Sequence, residues 1–152
     1  MKKICLIGIF VSIFFGTFAQ DITGRYRGTL TIRYHENARP EVKPQSIVRV
    51  EKESDTTFVI IVSDMSFGNI KIQNFTMDTI ETLPSKEKNT TTFIRYKIKD
   101  MRIPRGSDGT FFPVQAMLKS GTVVGNTLEL EIWANTGLGL SLIVRFKGNK
   151  IQ

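Results

Sequence analysis

The sequence predicts an all-β fold, an eight-stranded antiparallel up-and-down barrel, on three observations. Apolar residues recur with a period of two, the spacing that sends alternate side chains to opposite faces of a strand. Beyond the N-terminal apolar stretch, no segment carries the 3.6-residue apolar stripe of an amphipathic helix. Polar turn segments separate the alternating runs, and one of them, Gly125-Asn126, is a two-residue hairpin signal. Long strands with one apolar face, and no helices to cover it, must close that face on itself. A barrel does so without leaving an edge; a two-sheet sandwich is the alternative.

The elements follow in order. Residues 25–34 read RYRGTLTIRY, with Tyr26, Gly28, Leu30, Ile32 and Tyr34 on one face and Arg25, Arg27, Thr29, Thr31 and Arg33 on the other. A turn over 35–45, holding two prolines, leads to a short mixed strand at Ser46–Lys52, and Thr57–Ser63 is apolar on both faces. In the run from Asn69 to Thr82, Ile70 and Ile72 point inward, then the apolar parity moves to Phe75 and Met77. That shift predicts a bulge near Asn74. After a turn at 84–90, the fifth strand, Thr91–Ile103, shifts likewise, from Ile94, Tyr96 and Ile98 to Met101 and Ile103. Such bulges supply the bends that closure needs.

A turn at 104–109 precedes Thr110–Val124, which keeps one register, with Phe112, Val114, Ala116, Leu118 and Val124 on one side. Pro113 lacks a ladder donor, so this strand begins at an edge or with a distortion. Past the hairpin, Leu128, Leu130, Ile132 and Ala134 face in, while Glu129, Glu131 and Trp133 face out. The last strand carries Leu138, Leu140, Leu142, Val144 and Phe146 on one face.

Residues 1–19 read as a secretory signal peptide. Lys2 and Lys3 are the positive start, Ile4 to Phe15 the apolar run, and Thr17-Phe18-Ala19 the small-residue cleavage site. The run is too short for a spanning helix of ~20 residues. Cleavage after Ala19 leaves one domain over residues 20–152, exported to the periplasm or secreted. It also removes Cys5, the one cysteine of the chain, so no disulfide or lipid attachment is expected. Two of the 21 bases leave with the signal, and the formal charge falls from +7 to +5.

GRYRGTLTI, GNIKIQNFTM, FFPVQAMLKSGTVVGNTLELEIWA and the closing LIVRFKG together resemble the calycin-like β-barrel domain. This is a lipocalin-like module of secreted proteins from Gram-negative anaerobes. The resemblance runs from about Gly24 to Gly148 and implies a barrel with the possibility of an internal cavity; it supplies no catalytic residues. Lipocalins proper carry Gly-x-Trp on the first strand, with an arginine of the last strand packed on that Trp. Here the motif is Gly24-Arg25-Tyr26, and Arg145 falls by parity opposite the Val144/Phe146 face.

The chemistry-bearing inventory is thin. A single His35 makes a multi-histidine metal site impossible, and Arg39 stands where a zinc-protease motif needs its second histidine. There is no Gly-x-Ser-x-Gly elbow. Gly106-Ser-Asp-Gly109 and Gly137-Leu-Gly139 read as turns. Glu129 and Glu131 lie ~7 Å apart on an outward face, where a solvated wall is the ordinary explanation and glycoside hydrolysis the special one. The basic stripes Arg25/Arg27/Arg33 and Arg95/Lys97/Lys99 come without any nucleic-acid motif. No enzyme, catalytic residue, metal or cofactor is expected, nor a nucleic-acid partner or a stable membrane anchor, and the chain is read as a monomer.

The first functional expectation is therefore a non-catalytic barrel binding a small apolar or amphiphilic ligand through inward residues Tyr26, Leu30, Tyr34, Phe112 and Leu140. A buried phenol needs a hydrogen-bond partner, and a ligand is one candidate. The alternative is an inhibitor-type module that binds protein or polysaccharide through its outer surface and loops. There Trp133, on a polar face, is suited to stack on a sugar or partner unless a loop such as 104–112 covers it.

Overall fold

The computed structural model describes residues 20–152, apart from 69, 95–98, 106–109, 137–138 and 140. The strands are β1 (Gly24–Tyr34), β2 (Glu41–Lys52), β3 (Thr57–Phe67), β4 (Ile70–Pro84), β5 (Thr90–Ile94), β6 (Lys99–Arg105), β7 (Thr110–Val124), β8 (Thr127–Thr136) and β9 (Ser141–Ile151). All pairings are antiparallel. The order β5-β4-β3-β2-β1-β9-β8-β7-β6 closes through β5–β7, and β5 and β6 lie end to end along β7. These two are the halves of the expected fifth strand, so the fold is the predicted closed eight-stranded antiparallel barrel.

The alternating faces of β1, β8 and β9 fall as the sequence predicts. Tyr26, Leu30, Ile32, Leu128, Leu130, Ile132, Ala134, Leu142, Val144 and Phe146 are buried in one core with residues from the facing strands. The hairpin at Gly125-Asn126 joins Val124 to its partner Thr127, with Gly125 at φ +56. A positive φ at the first central residue is what a type II′ turn requires.

Three bulges account for most of the departures. β2 begins at Glu41, not Ser46, because Pro44 and Gln45 together oppose Thr29 alone, and this bulge absorbs the proline within the strand. On β4 the register does not break at Asn74, which pairs with Ser63; it shifts between Met77 and Ile80, where Thr79 has φ +58. The change of parity at Asn74 is matched across the pair by Asp64 at φ +51, which carries Met65 into the core after Val62.

The third bulge is at Lys119, an extra residue on β7 between the pairs Leu118–Ile132 and Ser120–Glu131. β7 therefore does not keep one register. Gly121 and Val123 turn inward, and Val124, expected in the core, is 55% exposed. On β5 the core residue is Phe93, not Ile94, and its ring lies over Gly121, where a side chain would leave no room. The parity shift expected between Ile98 and Met101 falls where residues 95–98 lie outside the described residues. Tyr96, Ile98, Arg95, Lys97, Leu138 and the turn Gly106–Gly109 lie outside the described residues, as does the N-terminal segment with Cys5.

Tyr26 closes one end of the barrel. Its phenol is buried and donates to the Ile22 carbonyl at 2.7 Å, and the Lys150 ammonium crosses the same end to the Asp21 carbonyl at 2.9 Å. Burial, helped by the Asp21 charge, pushes the phenol pKa up to about 12. Arg145 takes no part in this end. It points outward and pairs with Glu131, so the arginine-on-aromatic packing of lipocalins proper is replaced by a tyrosine-to-carbonyl bond.

Candidate functional site

Two open troughs lie side by side on the wall formed by β7, β8 and β9. The first, about 580 Å³, is lined by residues 115–117, 133–135 and 141–143 with His35 and Glu36. Its position follows from parity. In each triplet the central residue, Ala116, Ala134 or Leu142, is a core residue that presents its backbone here, whereas the flanking residues face away from the core. The trough is thus on the outside of the barrel. The same holds for the second, about 450 Å³, floored by Gly121, Leu130 and Phe146 and walled by Ser120, Thr122, Glu129, Glu131, Arg145 and Lys147, with Thr29 and Thr31 of β1 beyond.

An apolar row crosses the first trough, because the antiparallel register places Met117 opposite Trp133 and Trp133 opposite Ile143. Polar residues stand beyond it in the next row, where Gln115 faces Asn135 and Asn135 faces Ser141. His35 caps the row; its backbone N–H donates to the Ser141 carbonyl at 3.1 Å from a φ of +64.

Trp133 is 38% exposed yet held in place. Its indole N–H donates to Glu131 Oε1 at 2.6 Å, and the Lys119 ammonium lies 4.8 Å from the ring centroid. That contact is a cation–π interaction, of roughly 0.5–1 kcal/mol at an exposed site. Lys119 is the bulge residue of β7, so the local distortion supplies this contact. Glu131 Oε2 accepts from Arg145 Nε at 2.8 Å. Partial burial would raise the Glu131 carboxyl, but the bonds from Trp133 and Arg145, with the Arg145 and Lys119 charges, outweigh it and hold the group below its usual value. The indole is therefore fixed at its nitrogen by a carboxylate whose charged form is favoured.

The neighbouring carboxylate is also paired. Glu129 meets Lys147 at 2.6 Å, which makes the two outward glutamates members of two cross-strand ion pairs. Among the described residues, no three His, Cys, Asp or Glu side chains gather to hold a metal ion.

The sequence-predicted interior residues fall in different places. Tyr26 and Leu30 are sealed in the core. Tyr34 is half-buried at the opposite end of β1, about 26 Å from Tyr26 by strand rise. It stands beside Gly68, its pKa raised by burial and by Glu41. Phe112 pairs with Ile103 near the start of β7, at the Tyr34 end. Leu140 lies outside the described residues. The structure thus does not gather Tyr26 and Leu30 with Tyr34, whereas it surrounds Trp133 with groups the sequence reading did not name. Met117 and Ile143 reach it through register, Gln115 and Asn135 stand in the next row, and Lys119 reaches it from the bulge. The signal that could have found Gln115, Met117 and Lys119 was the outward parity of β7, which holds up to Leu118; that they face Trp133 follows only from the pairing of β7 with β8.

The wall itself is charged. Arg25, Arg27, Glu129, Arg145 and Lys147 are exposed, and the interior is apolar. A membrane-spanning barrel has the opposite arrangement, an apolar outer band around a polar interior. No helix among the described residues is long and apolar enough to cross a membrane.

Comparison with known proteins agrees with this architecture. A crystal structure of a "putative outer membrane protein" from Bacteroides fragilis superposes with a TM-score of 0.61 at 16% identity, over 85% of this chain and 51% of that one. At that identity the likeness is one of fold, and the chain spans about half the length of the Bacteroides protein. None of the curated proteins compared matches it. The sequence model of the calycin-like beta-barrel domain matches residues 22–149, nearly all of the strand-forming chain, and the protein belongs to that family.

Proposed function

We propose that residues 20–152 form an exported, non-catalytic binding module whose site is the outer trough at Trp133, and that the trough takes a sugar ring. The observation that carries this is the fixed indole. Trp133 stands exposed over an apolar row, with the amide side chains of Gln115 and Asn135 and the Ser141 hydroxyl in the next row. A sugar has an apolar face to lie on such a ring and hydroxyls at its edge for the amides. Because Glu131 and Lys119 already hold the indole, little side-chain freedom is lost on binding.

Export is supported by the signal-peptide pattern of residues 1–19. The interior is the weaker candidate, since the Tyr26 phenol already has its partner in Ile22.

Trp133 is the one tryptophan of the chain, so its fluorescence reports this trough alone. Titration with disaccharides of glucose, mannose, xylose and N-acetylglucosamine should change its emission with Kd near 1 mM, about −4 kcal/mol. Trp133→Ala should abolish heat release in calorimetry with the same sugar. No response to any disaccharide, or an unchanged heat in the variant, refutes the assignment.

A further inference from the structure

We infer that the two troughs are one groove and that its occupant is an extended, uncharged polysaccharide chain running along β8. The inference rests on the sugar-binding reading of the Trp133 trough and extends it. The troughs meet at Trp133 and Glu131, adjacent outward residues of β8 joined by the 2.6 Å indole–carboxylate bond. From Asn135 in the first to Glu129 in the second is six residues, about 20 Å at the rise of a strand. That is the length of several sugar rings and far exceeds one.

The chemistry of the second trough selects the occupant. Its charges come as two cross-strand pairs, Glu131–Arg145 and Glu129–Lys147, which cancel. A polyanion would be drawn by a field of one sign, and the second trough has none, while in the first the Lys119 ammonium on Trp133 is matched in number by the Glu36 carboxylate. Pairs near the surface contribute little to stability, so a ligand hydroxyl can share either partner at little cost. Ser120 and Thr122 of β7 stand on one side of the pairs and Thr29 and Thr31 of β1 on the other. Hydroxyls facing neutral ion pairs suit a hydroxyl-rich, uncharged ligand. The apolar platform at one end only gives the groove a direction.

The test is calorimetry on the mature chain with neutral oligosaccharides of glucose, mannose, xylose and N-acetylglucosamine, each as disaccharide and hexasaccharide, and with oligogalacturonate as the acidic probe. For at least one neutral series the hexasaccharide should bind ten-fold or more tighter than the disaccharide. Thr122→Val and, separately, Glu129→Gln should bring the hexasaccharide down to the disaccharide's affinity, with thermal melts matching the parent to show that both variants fold. Equal affinity for the two lengths overturns the extended groove while leaving the Trp133 reading standing. Tighter binding of oligogalacturonate than of every neutral hexasaccharide overturns the uncharged occupant. Silence from all probes, disaccharides included, removes the sugar-binding reading itself and this inference with it.

Discussion

Gly148→Ala is expected to cost about 3 kcal/mol of stability, and the reasoning is geometric. β1 and β9 pair over ten residues, and Gly28 stands directly opposite Gly148 in that register. A Cβ built on Gly148 falls 2.5 Å from Cζ of Phe146 and 2.6 Å from the carbonyl oxygen of Arg27. Ordinary contacts between non-bonded heavy atoms begin near 3.5 Å, so something must yield by about 1 Å. The Phe146 ring is packed in the core, and the Arg27 carbonyl belongs to the β1 backbone. Overpacking of this kind costs roughly 1–3 kcal/mol and occasionally more, and two unyielding neighbours place the site at the upper end. For a chain of this size that is a loss of roughly 10 °C in Tm. Gly125→Ala is the matched control: its φ is +56, but nothing lies within 4 Å of the new Cβ, leaving only the left-handed penalty of about 1 kcal/mol. Urea unfolding and thermal melts followed by circular dichroism compare the two. If Gly148→Ala melts within a degree or two of Gly125→Ala, the close approach of β1 and β9 is wrong.

The Lys119 bulge makes Val123 a core residue and Val124 a surface one, so Val123→Thr should cost about 1–3 kcal/mol for its buried hydroxyl while Val124→Thr stays within about 0.5. Urea midpoints decide it, and the reverse order would mean that β7 holds a single register. Tyr26→Phe should cost about 1–3 kcal/mol in the same assay, because the buried Ile22 carbonyl loses its donor; a neutral result would mean that water or another group serves that carbonyl. Glu131 is held below its ordinary carboxylate value, so its contribution is complete above the unfolded-state range and is lost as pH falls through the lower folded value. Acid titration of Trp133 emission should therefore show a transition below the usual glutamate range that Glu131→Gln lacks; the same transition in both proteins would assign it to another group.

Alternation made the barrel legible because half of each strand must face the core, and a period of two records which half. It worked best where strands are regular: every apolar residue expected inward between Leu128 and Ala134 is buried, and so are Leu142, Val144 and Phe146. It failed where one residue was inserted. Val124 has the right hydrophobicity for the core, and only the bulge five residues earlier, which no local composition marks, turns it outward. Pro44 misled in a different way, since a missing donor argues against a strand but is tolerated in a bulge. Trp133 was identifiable as an outward aromatic from its own strand alone. Its surroundings were not, because Met117 and Ile143 become its neighbours through pairing registers separated in sequence by 10 to 16 residues.

The bulge at Lys119 serves both the closure of the barrel and the wall at Trp133. An extra residue bends a strand and increases its local twist. On β7 it falls between residues 115–117, which line the first trough, and 120–122, which line the second. It also frees Lys119 from a cross-strand partner, and its ammonium lies on one side of the Trp133 ring, 4.8 Å from the centroid. The same insertion restores Val123 to the core and lets Gly121 receive the ring of Phe93. Removing Lys119 by deletion would thus alter closure of the barrel and the binding wall at once. Substituting it, as in Lys119→Met, keeps the bulge and removes only the cation. The two changes separate what the extra residue does for the fold from what its side chain does for the site.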